Sequence, residues 1–100
     1  MIIVELTHQK PRAEVEKYLS GHIAFLERHY KQGTFMASGP KEPRDGGIIL
    51  VQADEATARK IMQEDPLCQH NISEYRFIDF RPAMCKAGCE NVFGLNYPFK

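Results

Sequence analysis

Residues 14–32, EVEKYLSGHIAFLERHYKQ, decide how the rest of the chain is read. Val15, Tyr18, Leu19, His22, Phe25, Leu26 and His29 recur at i, i+3, i+4 and i+7, so a helix over Glu14–Gln32 places them on one stripe. Pro11 suits the first turn, where its missing N–H costs nothing. Glu14 and Glu16 lie early, Arg28, His29 and Lys31 lie late, and Gly33 follows, as the helix dipole and a C-terminal stop require. The stripe is apolar except for its histidines. His29, near the end, reads as a capping or surface residue. His22 stands in the middle of a face expected to be buried, where a titratable ring needs a partner. Gly21 beside it costs about 1 kcal/mol relative to alanine; it marks either a close approach by another backbone or neutral tolerance.

Outward from the helix, the pattern changes from period 3.6 to period 2. Ile2, Val4 and Leu6 alternate with Ile3, Glu5 and Thr7, a β-branched run with apolar residues on both faces that predicts a central strand. His8-Gln9-Lys10 reads as a polar connector. Thr34–Ser38 predicts a short second strand, residues 39–47 are turn chemistry throughout, and Ile48–Ala53 predicts a third strand. Asp54 is a suitable N-cap for a second helix over Glu55–Glu64, ended by Asp65-Pro66. After a bridge at Leu67–Asn71, Ser73–Pro82 alternates with mixed polarity on both faces, as expected of a strand at an edge or at a subunit contact. Residues 83–100 lack periodicity and read as an extended tail anchored by Val92, Phe93, Leu95, Tyr97 and Phe99.

The order β-α-β-β-α-β predicts an α+β, ferredoxin-like fold: a four-stranded antiparallel sheet with two helices on one face. The domain spans residues 1–82 and the tail 83–100. Strands one and three are apolar on both sides, so the uncovered sheet face predicts a homodimer, two sheets packed into a dimeric α+β barrel.

Composition limits the partners. One hundred residues make one core, and thirteen basic side chains balance thirteen acidic ones, which argues against nucleic acid or a membrane surface. No apolar run approaches the roughly 20 residues of a membrane span. The first residues read as a strand and not as a signal peptide. Three cysteines, Cys68, Cys85 and Cys89, cannot all pair internally, so a reducing cytoplasm is the simplest setting.

His22 has two readings. It is a core histidine bonded to a carbonyl, or it is a general acid/base, because an imidazole oriented by a carboxylate works near neutral pH. Asp65, at the end of helix two and beside helix one in this fold, is the partner by position, although Asp-Pro is also common turn punctuation. Ser38-Gly39-Pro40 closes strand two; its serine is either a donor to a substrate oxygen or ordinary loop chemistry. On the charged loop tip, Arg44 is a site for an anionic substrate or, with Lys41 and Asp45, a solvated charge. Cys85 and Cys89 are four apart with no second pair at zinc spacing, and no dinucleotide or phosphate fingerprint occurs, so no metal and no cofactor is expected.

Gly21-His22-Ile23-Ala24-Phe25-Leu26, Ala37-Ser38-Gly39-Pro40, Gly46-Gly47-Ile48-Ile49-Leu50-Val51 and Asp65-Pro66-Leu67, in that order and spacing, resemble the YciI-like (YCII-related) family over about residues 1–82. The resemblance implies a dimeric α+β barrel with a site built around a His–Asp pair. By motif the pair is His22 and Asp65, with Ser38 in the same pocket; Gly39, Pro40 and Arg44 are the further candidates for substrate binding. Members with an assigned activity are similar to lyases or dehalogenases that act, without a cofactor, on small aromatic or lactone-type compounds. The implied function is a proton-transfer lyase, isomerase or dehalogenase-like enzyme. The alternative is a non-catalytic small-molecule-binding or protein-interaction module of the same barrel type. The tail after Pro82 departs from the family's short ending.

Overall fold

A computed structural model describes residues 1–95. The central strand β1 (Ile2–His8) pairs antiparallel with β3 (Gly46–Val51) on one side and β4 (Ser73–Asp79) on the other. Beyond β3 lies β2 (Phe35–Pro40), giving the order β2-β3-β1-β4. This is the predicted ferredoxin-like sheet, with β4 at an edge. Both hairpin strands are displaced from the predicted ranges. Backbone pairing continues through Gly39 and Pro40 against Ile48 and Gly47, so the turn-forming residues extend the ladder.

Alternation on β1 sets the layers. Ile2, Val4 and Leu6 are buried, and Ile3, Glu5 and Thr7 are half-buried on the opposite face. The buried set packs with Ile49 and Val51 of β3, Phe35 of β2 and helical Val15, Phe25, Ala58, Met62 and Leu67 in one core. All helices of the core therefore lie on one side of the sheet.

The predicted single helix is two: α1 (Arg12–Glu16) and α2 (Leu19–Lys31). Lys17 and Tyr18 make a turn between them, with the Tyr18 N–H bonded three residues back to Val15 O (3.1 Å). At the break the Tyr18 ring packs against the core and stacks on His70 at a centroid distance of 4.2 Å. Leu19, predicted as core, is 37% exposed.

The helix α3 (Glu55–Met62) is capped as predicted, Asp54 accepting from the Thr57 N–H at 2.7 Å. A one-turn helix α4 (Pro66–Gln69) follows, with Asp65 as its N-cap. Gly21 of α2 admits α4: a Cβ there would stand 2.9 Å from Pro66 Cγ. The close approach is thus by a proline ring and not by another backbone. Gly46 is more constrained, because an added Cβ would overlap the Leu6 carbonyl of the central strand.

Two further expectations are corrected. Lys41, read as a solvated loop charge, turns in to bond Thr7 Oγ1 (2.9 Å) and Glu5 Oε2 (3.2 Å); a lysine beside a half-buried glutamate gains more from that pairing than from the loop tip. The tail carries a short helix α5 (Glu90–Phe93) where an extended segment was predicted. Its anchors Tyr97 and Phe99 lie outside the described residues.

Candidate active site

Helix α2 is positioned by Phe25, which is 1% exposed and packs edge-on against Phe35 (centroids 5.5 Å apart). One turn earlier on the same face stands His22. Its Nδ1 lies 3.0 Å from both carboxylate oxygens of Asp65. The histidine side chain is 15% exposed and the aspartate 0%. A buried carboxylate is tolerated when its oxygens are fully hydrogen-bonded. Here the Leu67 N–H donates to Oδ1 (3.1 Å) and the Tyr75 hydroxyl to Oδ2 (2.6 Å), so three donors converge on the group. Burial first, then the charge of Asp65, pushes the Tyr75 phenol above its ordinary range, and it remains a donor at any working pH. A carboxylate only accepts, so the neutral tautomer of His22 that fits this contact has its proton on Nδ1 and its lone pair on Nε2.

His22 forms part of the wall of a cavity of about 700 Å³ between α1, α2 and the loop end of the sheet. Leu19, Ile23 and Leu26 of α2, with Leu6 and Ile49 of the sheet, supply an apolar wall. The polar wall carries Ser38, Gly39, Pro40 and Arg44 from the hairpin, and His8, Lys10 and Arg12 from the end of β1 and the start of α1. His22, Ser38, Gly39, Pro40 and Arg44 therefore border one space. Asp65 stands behind His22, out of the lining. The Tyr30 hydroxyl donates to Ser38 Oγ (2.6 Å), which leaves the serine's own O–H available to a ligand. Arg12 is engaged by Glu16 (3.0 Å).

Two further groups at the site belong to no motif in the sequence. Tyr75 sits on the helix-facing register of β4, opposite Leu6, where a phenol needs a polar partner. His8 is no connector: it is the last residue of β1, its ring Nδ1 2.8 Å from Ser73 Oγ. Burial first, then the nearby His22, lowers its pKa below 6.5; Lys41 adds to this and Asp45 opposes it.

His29, expected at the surface, is buried. Phe25 and Phe35 enclose it, and Nε2 bonds Glu64 Oε1 at 2.9 Å. The bond to His29, aided by Arg28, holds the Glu64 carboxyl below its usual 4.5. A lowered histidine and a lowered carboxylate act in the same direction. Each contributes stability above its unfolded value and loses it as pH falls through its folded one. The thermal midpoint is therefore expected to drop as pH is lowered through 6.5, on account of His8, and again below 4.5, on account of Glu64. Midpoints measured against pH check this: His8→Gln should flatten the upper step and Glu64→Gln the lower one.

Among the described residues no three His, Cys, Asp or Glu side chains are grouped to hold a metal ion, and no helix is long and apolar enough to cross a membrane. Among proteins of curated function, none matches this sequence. Of solved structures, the chain is similar to the 5-chloro-2-hydroxyhydroquinone dehydrochlorinase TftG of Burkholderia phenoliruptrix, in complex with 2,5-dihydroxybenzoquinone. The TM-score is 0.64 at 14% identity, over 80% of this chain and 93% of that one, a likeness of fold. The family model of the YCII-related domain matches residues 1–81, which hold the whole sheet and both walls of the cavity, and the chain belongs to that family.

Proposed function

We propose that this chain is a small, cofactor-free enzyme that moves a proton on a small aromatic or lactone-type compound, in an elimination, isomerisation or dehalogenase-like reaction. The observation that carries the reading is a 15%-exposed histidine on a cavity wall with Nδ1 held at 3.0 Å by a fully buried carboxylate. His22 Nε2 takes the proton; Asp65 fixes the tautomer and stabilises the imidazolium that forms. Ser38 donates to a substrate oxygen, Gly39 and Pro40 shape the pocket beside it, and Arg44 attracts an anionic substituent. The apolar wall suits an aromatic or lactone ring. The compound for which the similar dehydrochlorinase is named, a chlorinated hydroxyhydroquinone, is a small aromatic ring bearing hydroxyl groups.

The reading includes a homodimer in a reducing, cytoplasmic setting, with no nucleic-acid or membrane partner. It is supported by the sheet face away from the helices, where Ile78 and Phe80 are 38% and 40% exposed and Ile3 and Leu50 lie half-buried alongside. A second copy would cover that apolar surface. Sedimentation equilibrium at the mass of one chain would remove this part.

The test is turnover. Purified protein, with chelator present, is offered a panel of halogenated hydroquinones, cyclic enones and lactones, and products are read by proton NMR. Conversion of at least one class is expected. Ligand binding without conversion across the panel would leave a binding module and overturn the enzymatic reading.

A further inference from the structure

A second histidine faces the same cavity with its Nδ1 already committed. We infer that His8 is a further catalytic residue of this site, its Nε2–H donating a hydrogen bond to a substrate carbonyl oxygen as negative charge develops there. The inference rests on the proposed proton-transfer reading and narrows its substrate class to compounds with an acidic C–H beside a carbonyl: ketones, enones and lactones.

The ring nitrogens divide the roles. His8 and His22 both line the cavity, and each binds the protein through Nδ1 alone among the described residues, His8 to Ser73 Oγ and His22 to Asp65. Nε2 is therefore the nitrogen each ring has left for a ligand. The two Nδ1 partners differ in kind. A carboxylate only accepts, so it fixes a proton on Nδ1 of His22 and makes that Nε2 a base. A serine hydroxyl donates or accepts; when Ser73 donates to Nδ1, His8 carries its proton on Nε2 and is a donor. Ser73 is 8% exposed, so water does not compete strongly for the hydroxyl. Burial first, with Lys41 adding to it and Asp45 opposing, lowers the His8 ring below its ordinary value and so disfavours its charged form.

The step balances without a co-reactant. His22 Nε2 takes the proton from carbon; the C–H electron pair becomes the C=C bond, and the carbonyl π pair moves to oxygen. The resulting enolate oxygen accepts from His8 Nε2–H, which keeps its proton. The imidazolium of His22 then returns its proton to another carbon or to a leaving group.

The probe is 4-nitrophenolate, a ring bearing a stable oxyanion, titrated by its visible absorbance at a pH where it is ionised. Wild-type protein is expected to bind it, His8→Ala about tenfold or more weakly, and His8→Gln, which retains a side-chain N–H, closer to wild type. Equal affinity in His8→Ala would mean that Arg44 or Lys10 holds the anion and would overturn the inference, as would no binding by the wild type. Long-range proton–nitrogen NMR of the wild-type complex adds a reading that needs no variant: the His8 proton must be on Nε2, and a proton on Nδ1 alone overturns the assignment. The two readings fail separately. His22-dependent turnover with nitrophenolate affinity unchanged in His8→Ala sinks the His8 role only. His8-dependent affinity without turnover sinks the enzyme and leaves an anion-binding pocket.

Discussion

His22→Gln is expected to lower turnover by about 10²–10⁴-fold, the usual contribution of a positioned base, while the protein stays folded. Glutamine retains an amide N–H toward Asp65, so the buried carboxylate keeps a donor on that side, as well as Leu67 N–H and Tyr75 O–H. What is lost is a nitrogen that can take up a proton on the cavity side. His22→Ala should lose activity equally and cost stability too, because one of the donors to a 0%-exposed carboxylate disappears. Steady-state kinetics on the compound turned over, with circular dichroism melts of both variants, check the pair of outcomes. A variant that unfolds without any activity to lose would return His22 to the core.

The second large effect divides by substituent at Asp65. Asp65→Ala removes the acceptor for His22, Tyr75 and the Leu67 N–H at once and with it the N-cap of α4. Buried donors left unsatisfied, together with a lost cap, are expected to cost about 3 kcal/mol or more, a fall in the thermal midpoint of roughly 12–24 °C for a domain of this size. Asp65→Asn keeps the shape and an acceptor for Tyr75 or Leu67, but can turn an N–H toward His22. The imidazole then accepts at Nδ1 and presents Nε2–H to the cavity, the wrong tautomer for a base. Activity should fall by about 10²–10⁴-fold with a much smaller change in midpoint. Chemical denaturation of both variants beside their kinetics separates the two losses.

The sheet, its order and the face that carries the helices were legible because they follow from periodicity. Ile2, Val4 and Leu6 must share a face, and the helical stripe must cover it. Periodicity carried one position further would have reached His8, which continues the even register of β1 but was cut off by its polarity. Tyr75 was hidden differently. The mixed polarity of its strand marks neither face as buried, and its hydroxyl's partner lies ten residues away at the N-cap of α4, a contact made by the fold. His29 shows the limit of polarity as a guide to burial: enclosed by Phe25 and Phe35 and bonded to Glu64, it is as buried as the stripe it interrupts. The ring that stacks on Tyr18 at the helix break belongs to His70, another contact made only by the fold. The pairing of His22 with Asp65 was accessible because the topology itself lays the end of helix two beside helix one.

Solvent deuterium incorporation tests the central claim most directly. A carbonyl compound that occupies the cavity is incubated with protein in deuterium oxide, and wash-in at the carbon beside its carbonyl is followed by NMR for wild type and His22→Gln. Exchange catalysed by wild type and reduced about 10²-fold or more in the variant is the predicted result. Equal exchange by the two proteins would contradict a proton path through His22.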